Sequence, residues 1–88
     1  METVKLYYEN AFLQDFTAVV ESCGAVKGGF AVVLDRTAFY PEGGGQPADH
    51  GTLGDARVLD VHEKDGVVTH LCDHDQHVSA EVSVLIDR

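Results

Sequence analysis

Apolar and polar residues alternate along much of this chain, and the alternation limits the folds open to it. In residues 78–86 every even position is apolar, and only Leu85 interrupts the polar odd positions. Because successive side chains of a β-strand point to opposite faces, this pattern predicts a strand with one buried face. Residues 16–20 alternate less cleanly. The apolar run at residues 30–34 is long enough for a buried strand and too short for a helix.

A hairpin is predicted in the second half of the chain. Residues 57–63 and 67–72 are rich in strand-forming residues and flank a short connection that contains Asp65 and Gly66. An Asp-Gly pair between two such runs is a strong hairpin signal, because glycine accepts the positive φ that a tight turn demands.

The remaining segments complete a prediction of the fold class. Residues 4–8 form a further strand candidate, and residues 9–15 suit a turn or a single helical turn. The total is five or six short strands with almost no helix. Small antiparallel sheets must hide their edges, and closure into a barrel does so. We therefore expect an all-β fold, a small and mostly antiparallel β-barrel, in one domain that spans residues 1–88.

The charge and the cysteines exclude several classes of protein. Fifteen acidic residues against six Lys or Arg give a net charge of −9. Because phosphate neutralisation needs an excess of basic residues, we expect weak or no nucleic-acid binding by this chain alone. No apolar run approaches the roughly 18 residues of a membrane span, and no signal peptide is evident, so a cytoplasmic protein without membrane contact is predicted. Two cysteines, Cys23 and Cys72, are too few for a disulfide framework.

The least ordinary segment covers residues 36–51. It contains three consecutive glycines, Gly43, Gly44 and Gly45. Pro41 and Pro47 bracket them and restrict the residues that precede each proline, which predicts a rigid, exposed arch. A plain corner loop of a barrel is the alternative reading of the same composition. A phosphate-binding P-loop is disfavoured, because no Lys follows the glycines and no helix is predicted there.

Residues 37–51, TAFYPEGGGQPADHG, closely resemble the glycine-rich motif of alanyl-tRNA editing domains. Those domains occur inside alanyl-tRNA synthetase and in free-standing trans-editing proteins of the AlaX type. Residues 5–8 (KLYY), 33–36 (VLDR) and 66–70 (GVVTH) resemble the same family, so the likeness covers nearly the whole chain. Because Met1 closely precedes the first predicted strand, the chain resembles a free-standing editor more than a segment of a synthetase.

The resemblance implies a barrel similar to the second domain of translation elongation factors, packed in the complete protein against a larger α/β domain. Together the two domains would hydrolyse the ester of Ser-tRNA(Ala) and, in some members, of Gly-tRNA(Ala). Zn²⁺ would be held in the larger domain by an HxxxH pair and a later Cys/His pair. This chain ends where the HxxxH segment is expected to follow. The resemblance therefore implies a truncated product with no catalytic residue, metal or cofactor of its own, inactive alone, with mischarged tRNA(Ala) and the missing zinc domain as partners.

The resemblance also implies roles for residues of the motif, which would form one wall of the editing pocket. Thr37 matches the threonine that recognises the seryl hydroxyl, and Gln46 matches the glutamine near the scissile end of the substrate. A site built to bond a hydroxyl rejects the analogue that lacks it, because its own polar group would stay unpaired. The backbone of Gly43, Gly44 and Gly45 would approach the terminal adenosine or the partner domain. Without the resemblance, Thr37 reads as a strand-end threonine and Gln46 as a surface glutamine.

Five residues of the motif receive structural roles: Phe39, Tyr40, Pro41, Asp49 and Gly51. Phe39 and Tyr40 suit packing in the barrel or at an interface, since a base-stacking platform would need basic residues beside them. Asp49 is expected to cap the turn by bonding its own backbone two residues on. Glu42 is a poor general base in this reading, because it is a lone exposed carboxylate without a partner.

Two other readings stay open. His70, Cys72 and His74 would share a face of one strand and, with His77, form a candidate zinc set, although their spacing is not that of a closed zinc site. The chain would alternatively be a non-catalytic adaptor module, whose glycine-rich loop contacts another protein and whose acidic surface suits a basic partner.

Overall fold

The computed structural model describes residues 3–9, 13–43 and 48–87. In these parts of the chain the regular structure is almost entirely β, with one short 3₁₀ turn at Leu6–Tyr8 and no α-helix. The strands are β1 (Val4–Lys5), β2 (Asp15–Val26), β3 (Gly29–Leu34), β4 (Arg36–Thr37), β5 (His50–Leu53), β6 (Ala56–Lys64), β7 (Val67–Cys72) and β8 (Glu81–Asp87). Nothing helical in these residues has the length and apolarity that a membrane crossing requires.

Six of the strands close into a barrel, in the order β2-β3-β7-β6-β5-β8. Every neighbouring pair in the barrel is antiparallel. The other two strands, β1 and β4, pair in parallel beside it. Closure gives each of the six strands a partner on both sides, so the barrel has no open edge. The predicted all-β, mostly antiparallel barrel is confirmed.

The barrel interior is filled by the inward-facing residues of the alternating strands. In β8, Val84 and Ile86 are buried while Leu85 points outward and is 55% exposed. In β7 the buried positions are Val68, His70 and Cys72, alternating with half-buried residues. The period-two pattern therefore reports the two faces of the barrel wall. The imidazole of His70 and the hydroxyl of Thr37 are polar groups buried among these mainly apolar side chains.

The predicted hairpin is confirmed between β6 and β7, which pair from Lys64 and Val67 at the turn. Asp65 and Gly66 have φ of 53° and 82°. Positive φ at both central residues is the geometry of a two-residue turn that matches the twist of the flanking strands. The run at residues 30–34 and the alternation at residues 16–20 are likewise found in strands, β3 and β2.

Two predicted strands have different bounds in the structure. The strand expected at residues 4–8 is confined to Val4–Lys5, and a 3₁₀ turn follows at Leu6–Tyr8, in which Tyr7 is buried. The turn expected at residues 9–15 lies partly outside the described residues, because these do not include 10–12. The strand expected at residues 78–86 begins only at Glu81, because Ser79 has φ of 71°, which no strand residue adopts.

Besides the two-residue strand β4, sequence reasoning missed β5, at the end of the glycine-rich segment. It lies between β6 and β8 and completes the barrel. A Cβ atom on Gly51 would overlap the carbonyl oxygen of Leu85 in β8. Glycine at this position therefore lets two backbones approach closely. The structural role of Gly51 is therefore at the contact between β5 and β8.

Candidate functional site at the glycine-rich segment

The glycine-rich segment leaves the barrel and returns to it through a closed base. The amide of Tyr40 donates to a carboxylate oxygen of Asp49 at 2.9 Å, and the amide of Asp49 donates to the carbonyl of Tyr40 at 3.1 Å. Asp49 thus bonds a residue nine positions back. The bond predicted from Asp49 to its own backbone two residues on stays a prediction. These two hydrogen bonds hold Tyr40 and Asp49 together at the base of the segment.

The first part of the segment also lies on the barrel wall. The amide of Glu42 donates to the carbonyl of Val61 in β6 at 2.9 Å. Pro41 is buried, while Glu42 and Gly43 are exposed. The exposed arch predicted for this segment is therefore wrong at Pro41, because this end of the segment packs down against β6. Three residues of the predicted site, Gly44, Gly45 and Gln46, lie outside the described residues, as does Pro47, and their roles stay predictions.

Glu42 has partners, contrary to the expectation of a lone carboxylate. One of its oxygens lies 3.7 Å from Nδ1 of His62, and Nε2 of the same imidazole lies 2.8 Å from a carboxylate oxygen of Asp60. In the described parts of the chain, this is the one set of three His, Cys, Asp or Glu side chains whose ligand atoms lie within 4.8 Å of one another. The side chains of Glu42 and His62 are more than half exposed, so such pairs add little to stability.

The four residues of the alternative zinc set do not come together. His70 and Cys72 are buried in the barrel interior, whereas His74 and His77 are exposed. The strand ends at Cys72, so a residue four positions after His70 no longer shares its face. Nδ1 of His74 instead lies 2.7 Å from the carboxylate of Asp73. The described residues thus do not fit a Cys/His zinc site, and we derive no chemistry from a metal in this chain.

A buried hydrogen-bond network lies beneath the segment. Nε2 of His70 is 2.9 Å from Oγ1 of Thr37, and Nδ1 is 3.0 Å from the carbonyl oxygen of Val32. The two strands of His70 and Val32 are neighbours, and these residues face each other in register. Burial lowers the pKa of His70 to about 4, against a smaller opposing effect of the bond to Val32. The imidazole is therefore neutral at pH 7.

Thr37 lies inside the barrel, not on a pocket surface. Its exposed fraction is 0%, and its Oγ1 accepts a hydrogen bond from the amide of Phe39 at 3.1 Å. The ring of Phe39 is also fully buried and packs edge-on against His70 at 5.4 Å and Phe16 at 6.5 Å. The packing role predicted for Phe39 is thus confirmed. The side chain of Thr37 thus has no solvent-accessible surface in this structure.

Three tyrosines form a cluster beside the base of the segment. The ring of Tyr7 lies 4.8 Å from that of Tyr8 and 4.9 Å from that of Tyr40, centroid to centroid. Tyr8 is 74% exposed and Tyr40 is 49% exposed, while Tyr7 is buried beneath them. Burial, with a smaller contribution from Glu63, raises the pKa of Tyr7 to about 12. Sequence reasoning placed Tyr40 in packing but missed the cluster, for which the Tyr-Tyr pair at residues 7 and 8 was the available signal.

A shallow cavity of about 300 Å³ lies at the other end of the segment, beside Gly51. Thr52, Arg57 and Asp87 supply polar groups to its lining, and Leu85 supplies apolar surface. The cavity thus adjoins β5, the strand that contains the last residues of the segment.

Comparison with a family model and comparison with individual proteins both find tRNA synthetases. Residues 2–88 match the family model of class II (A) tRNA synthetases. An alanine--tRNA ligase of Halorubrum lacusprofundi is 50% identical over 78 residues, which cover 84% of this chain and 8% of the relative. The ligase of Halobacterium salinarum is 53% identical over a stretch that covers 78% of this chain and 8% of the relative. That of Methanopyrus kandleri is 45% identical over 98% of this chain and 10% of the relative. This chain spans about a tenth or less of the length of these relatives.

Proposed function

We propose that this chain, which belongs to the class II (A) tRNA synthetase family, is the barrel part of an aminoacyl-tRNA editing unit. In this role the glycine-rich segment supplies one wall of the pocket in which mischarged Ser-tRNA(Ala) or Gly-tRNA(Ala) loses its amino acid. The similar proteins are named alanine--tRNA ligase. We therefore prefer a segment of a synthetase to the free-standing AlaX-type protein that the sequence led us to expect.

The observation that carries the proposal is the anchoring of the glycine-rich segment. Its ends are joined by the two hydrogen bonds between Tyr40 and Asp49, and its first part is bonded to β6 through Glu42. Its last residues continue into β5, a strand of the closed barrel. A wall held in place before the substrate arrives needs no reorganisation on binding, which is what a site of high discrimination requires.

The remaining functions are assigned to parts of the protein outside these 88 residues. With a net charge of −9, the chain is a poor binder of phosphates, so we assign the grip on tRNA(Ala) to the rest of the protein. The described residues hold no fitting Cys/His zinc set, so we place Zn²⁺ and the hydrolytic chemistry in a second, α/β domain. We also propose that the protein works in the cytoplasm.

Deacylation of Ser-tRNA(Ala) tests the proposal. We expect hydrolysis by the full-length protein and none above the spontaneous rate by the 88-residue chain, with Ala-tRNA(Ala) as the matched substrate that is spared. In the full-length protein, Gln46→Ala should slow hydrolysis, whereas Gln76→Ala, outside the glycine-rich segment, should not. Turnover by the 88-residue chain that persists in the presence of a chelator would contradict the proposal.

A non-catalytic adaptor module is the second candidate, and the tyrosine cluster of Tyr7, Tyr8 and Tyr40 favours it. Exposed tyrosines are enriched in protein interfaces. This function predicts a full-length protein without deacylase activity that loses a protein partner when Tyr8 and Tyr40 are both replaced by alanine. Deacylation that survives the double replacement would rule it out as the main function.

A further inference from the structure

We propose that His70 is a positioning residue that holds the Thr37 hydroxyl, and through it the start of the glycine-rich segment, so that Thr37 acts on the segment without touching substrate. The functional half of this inference rests on the editing function proposed above. Its structural half concerns one buried hydrogen bond and stands independently of that function.

The proton positions in the network follow from its partners. The carbonyl oxygen of Val32 only accepts hydrogen bonds, so Nδ1 of His70, 3.0 Å away, carries a proton. In a neutral imidazole the other nitrogen is then an acceptor. Nε2 consequently accepts a hydrogen bond from the Thr37 hydroxyl, with 2.9 Å between Oγ1 and Nε2. The orientation of the Thr37 hydroxyl thus follows from the bond between His70 and the backbone of the neighbouring strand β3.

The network continues from Thr37 into the glycine-rich segment. Because the hydroxyl hydrogen of Thr37 points to His70, the lone pairs of Oγ1 are free to accept. One of them accepts a hydrogen bond from the amide of Phe39. The next residue, Tyr40, forms the closed base with Asp49. A continuous path therefore links His70 to the base of the segment. Because buried networks with every member paired are rigid, this path sets where the segment starts.

Direct recognition of the seryl hydroxyl by Thr37 makes a different prediction from positioning. Direct contact would affect Ser-tRNA(Ala) and leave Gly-tRNA(Ala), which lacks the hydroxyl, unaffected. Positioning of the whole wall affects both substrates alike. The full burial of Thr37 and the engagement of its hydroxyl by two protein groups favour positioning.

Nuclear magnetic resonance of the 88-residue chain tests the structural half. We expect ¹⁵N-edited spectra at pH 7 to show His70 protonated on Nδ1 alone, and a slowly exchanging hydroxyl proton of Thr37 coupled to Nε2. Thr37→Ser should keep the hydroxyl signal, and Thr37→Val should remove it. A proton on Nε2, or a Thr37 hydroxyl in fast exchange with water, would overturn the proposal.

Deacylation by the full-length protein tests the functional half. We expect Thr37→Val and His70→Asn each to lower kcat/KM about tenfold, the effect of one buried hydrogen bond, equally for Ser-tRNA(Ala) and Gly-tRNA(Ala). The double variant should be no slower than either single one, Thr37→Ser should restore the rate, and His77→Asn, at an exposed position, should be neutral.

The outcomes separate the two proposals. A loss confined to Ser-tRNA(Ala) in Thr37→Val, with His70→Asn unaffected, would overturn positioning and support direct recognition. Circular dichroism of each variant checks that the barrel is retained, and Thr37→Ser keeps the test decisive if His70→Asn does not fold. A full-length protein with no deacylase activity at all would remove the editing function, while the resonance experiment still decides whether His70 holds Thr37.

Discussion

Acidification between pH 7.5 and 5 should destabilise this barrel through His70. Burial lowers the pKa of its imidazole from 6.5 to about 4 in the folded chain. Between these values the unfolded chain binds a proton that the folded chain does not, so the free energy of unfolding falls as the pH falls. The full stabilisation is present above pH 6.5. The complete loss is about 3 kcal/mol, and roughly 2 kcal/mol of it is reached at pH 5. For a domain with about 5–10 kcal/mol of stability, this is a large fraction.

Urea denaturation followed by circular dichroism measures the effect. The free energy of unfolding is determined at several pH values from 7.5 to 5 for the wild-type chain and for His70→Asn, which has no imidazole at this position. The hydrogen bond between Asp73 and His74 lowers the pKa of the carboxyl and raises that of the imidazole. This pair is present in both proteins, so its contribution cancels in the difference. His77→Gln, at an exposed position, is the matched control.

We expect the wild-type chain and His77→Gln to lose roughly 2 kcal/mol more than His70→Asn over this range. Equal pH dependence in all three proteins would refute the reasoning. If His70→Asn does not fold, titration of the wild-type His70 resonances decides the matter, because an imidazole that titrates near 6.5 would show that it is not held neutral by burial.

Further predictions follow from individual residues. Gly51→Ala should lower the free energy of unfolding by about 1–3 kcal/mol, because its methyl group would overlap a β8 carbonyl; an unchanged urea midpoint would contradict this. Asp49→Ala should cost about 1 kcal/mol and speed amide exchange at the base of the glycine-rich segment; unaltered exchange would argue against the closed base. Iodoacetamide should modify half-buried Cys23 before Cys72, because Cys72 is buried and burial raises its pKa to about 12; peptide mapping that finds the reverse order would be evidence against this packing. Gly66→Ala should cost about 1 kcal/mol, because its φ of 82° strains any residue with a Cβ; equal stability by thermal denaturation would show that the turn can change type.

Local features of the fold could be predicted from the sequence. The hairpin at Asp65 and Gly66 depends on two adjacent residues, and the strands at residues 16–20 and 30–34 depend on patterns within one element. Strand β5 could not be found in this way, because its four residues show no clear alternation and its position rests on contact with β6 and β8. The alternation at residues 78–86 also did not show where its strand begins. The positive φ of Ser79 delays the start of β8 to Glu81.

The sequence located the glycine-rich segment, and the structure showed which partners its residues have. The glycine-rich segment stands out at once, and the packing of Phe39 follows from its apolar ring. The partners of Asp49, Glu42 and Thr37 did not follow, because Tyr40, His62 and His70 are distant from them in the chain. The zinc alternative rested on three residues sharing one face of a strand, and the end of β7 at Cys72 removes that shared face.

The sequence by itself determined that this chain forms short strands with one buried face, and such strands have few ways to hide their edges other than a closed barrel. The tertiary structure decided which strand completes the barrel and where the side chain of Thr37 lies. Thr37 and His70 are 33 residues apart and meet only because the barrel closes. In its interior a hydroxyl and an imidazole must satisfy each other, since unpaired buried polar groups are costly. That requirement turns a residue expected at a pocket surface into part of the core.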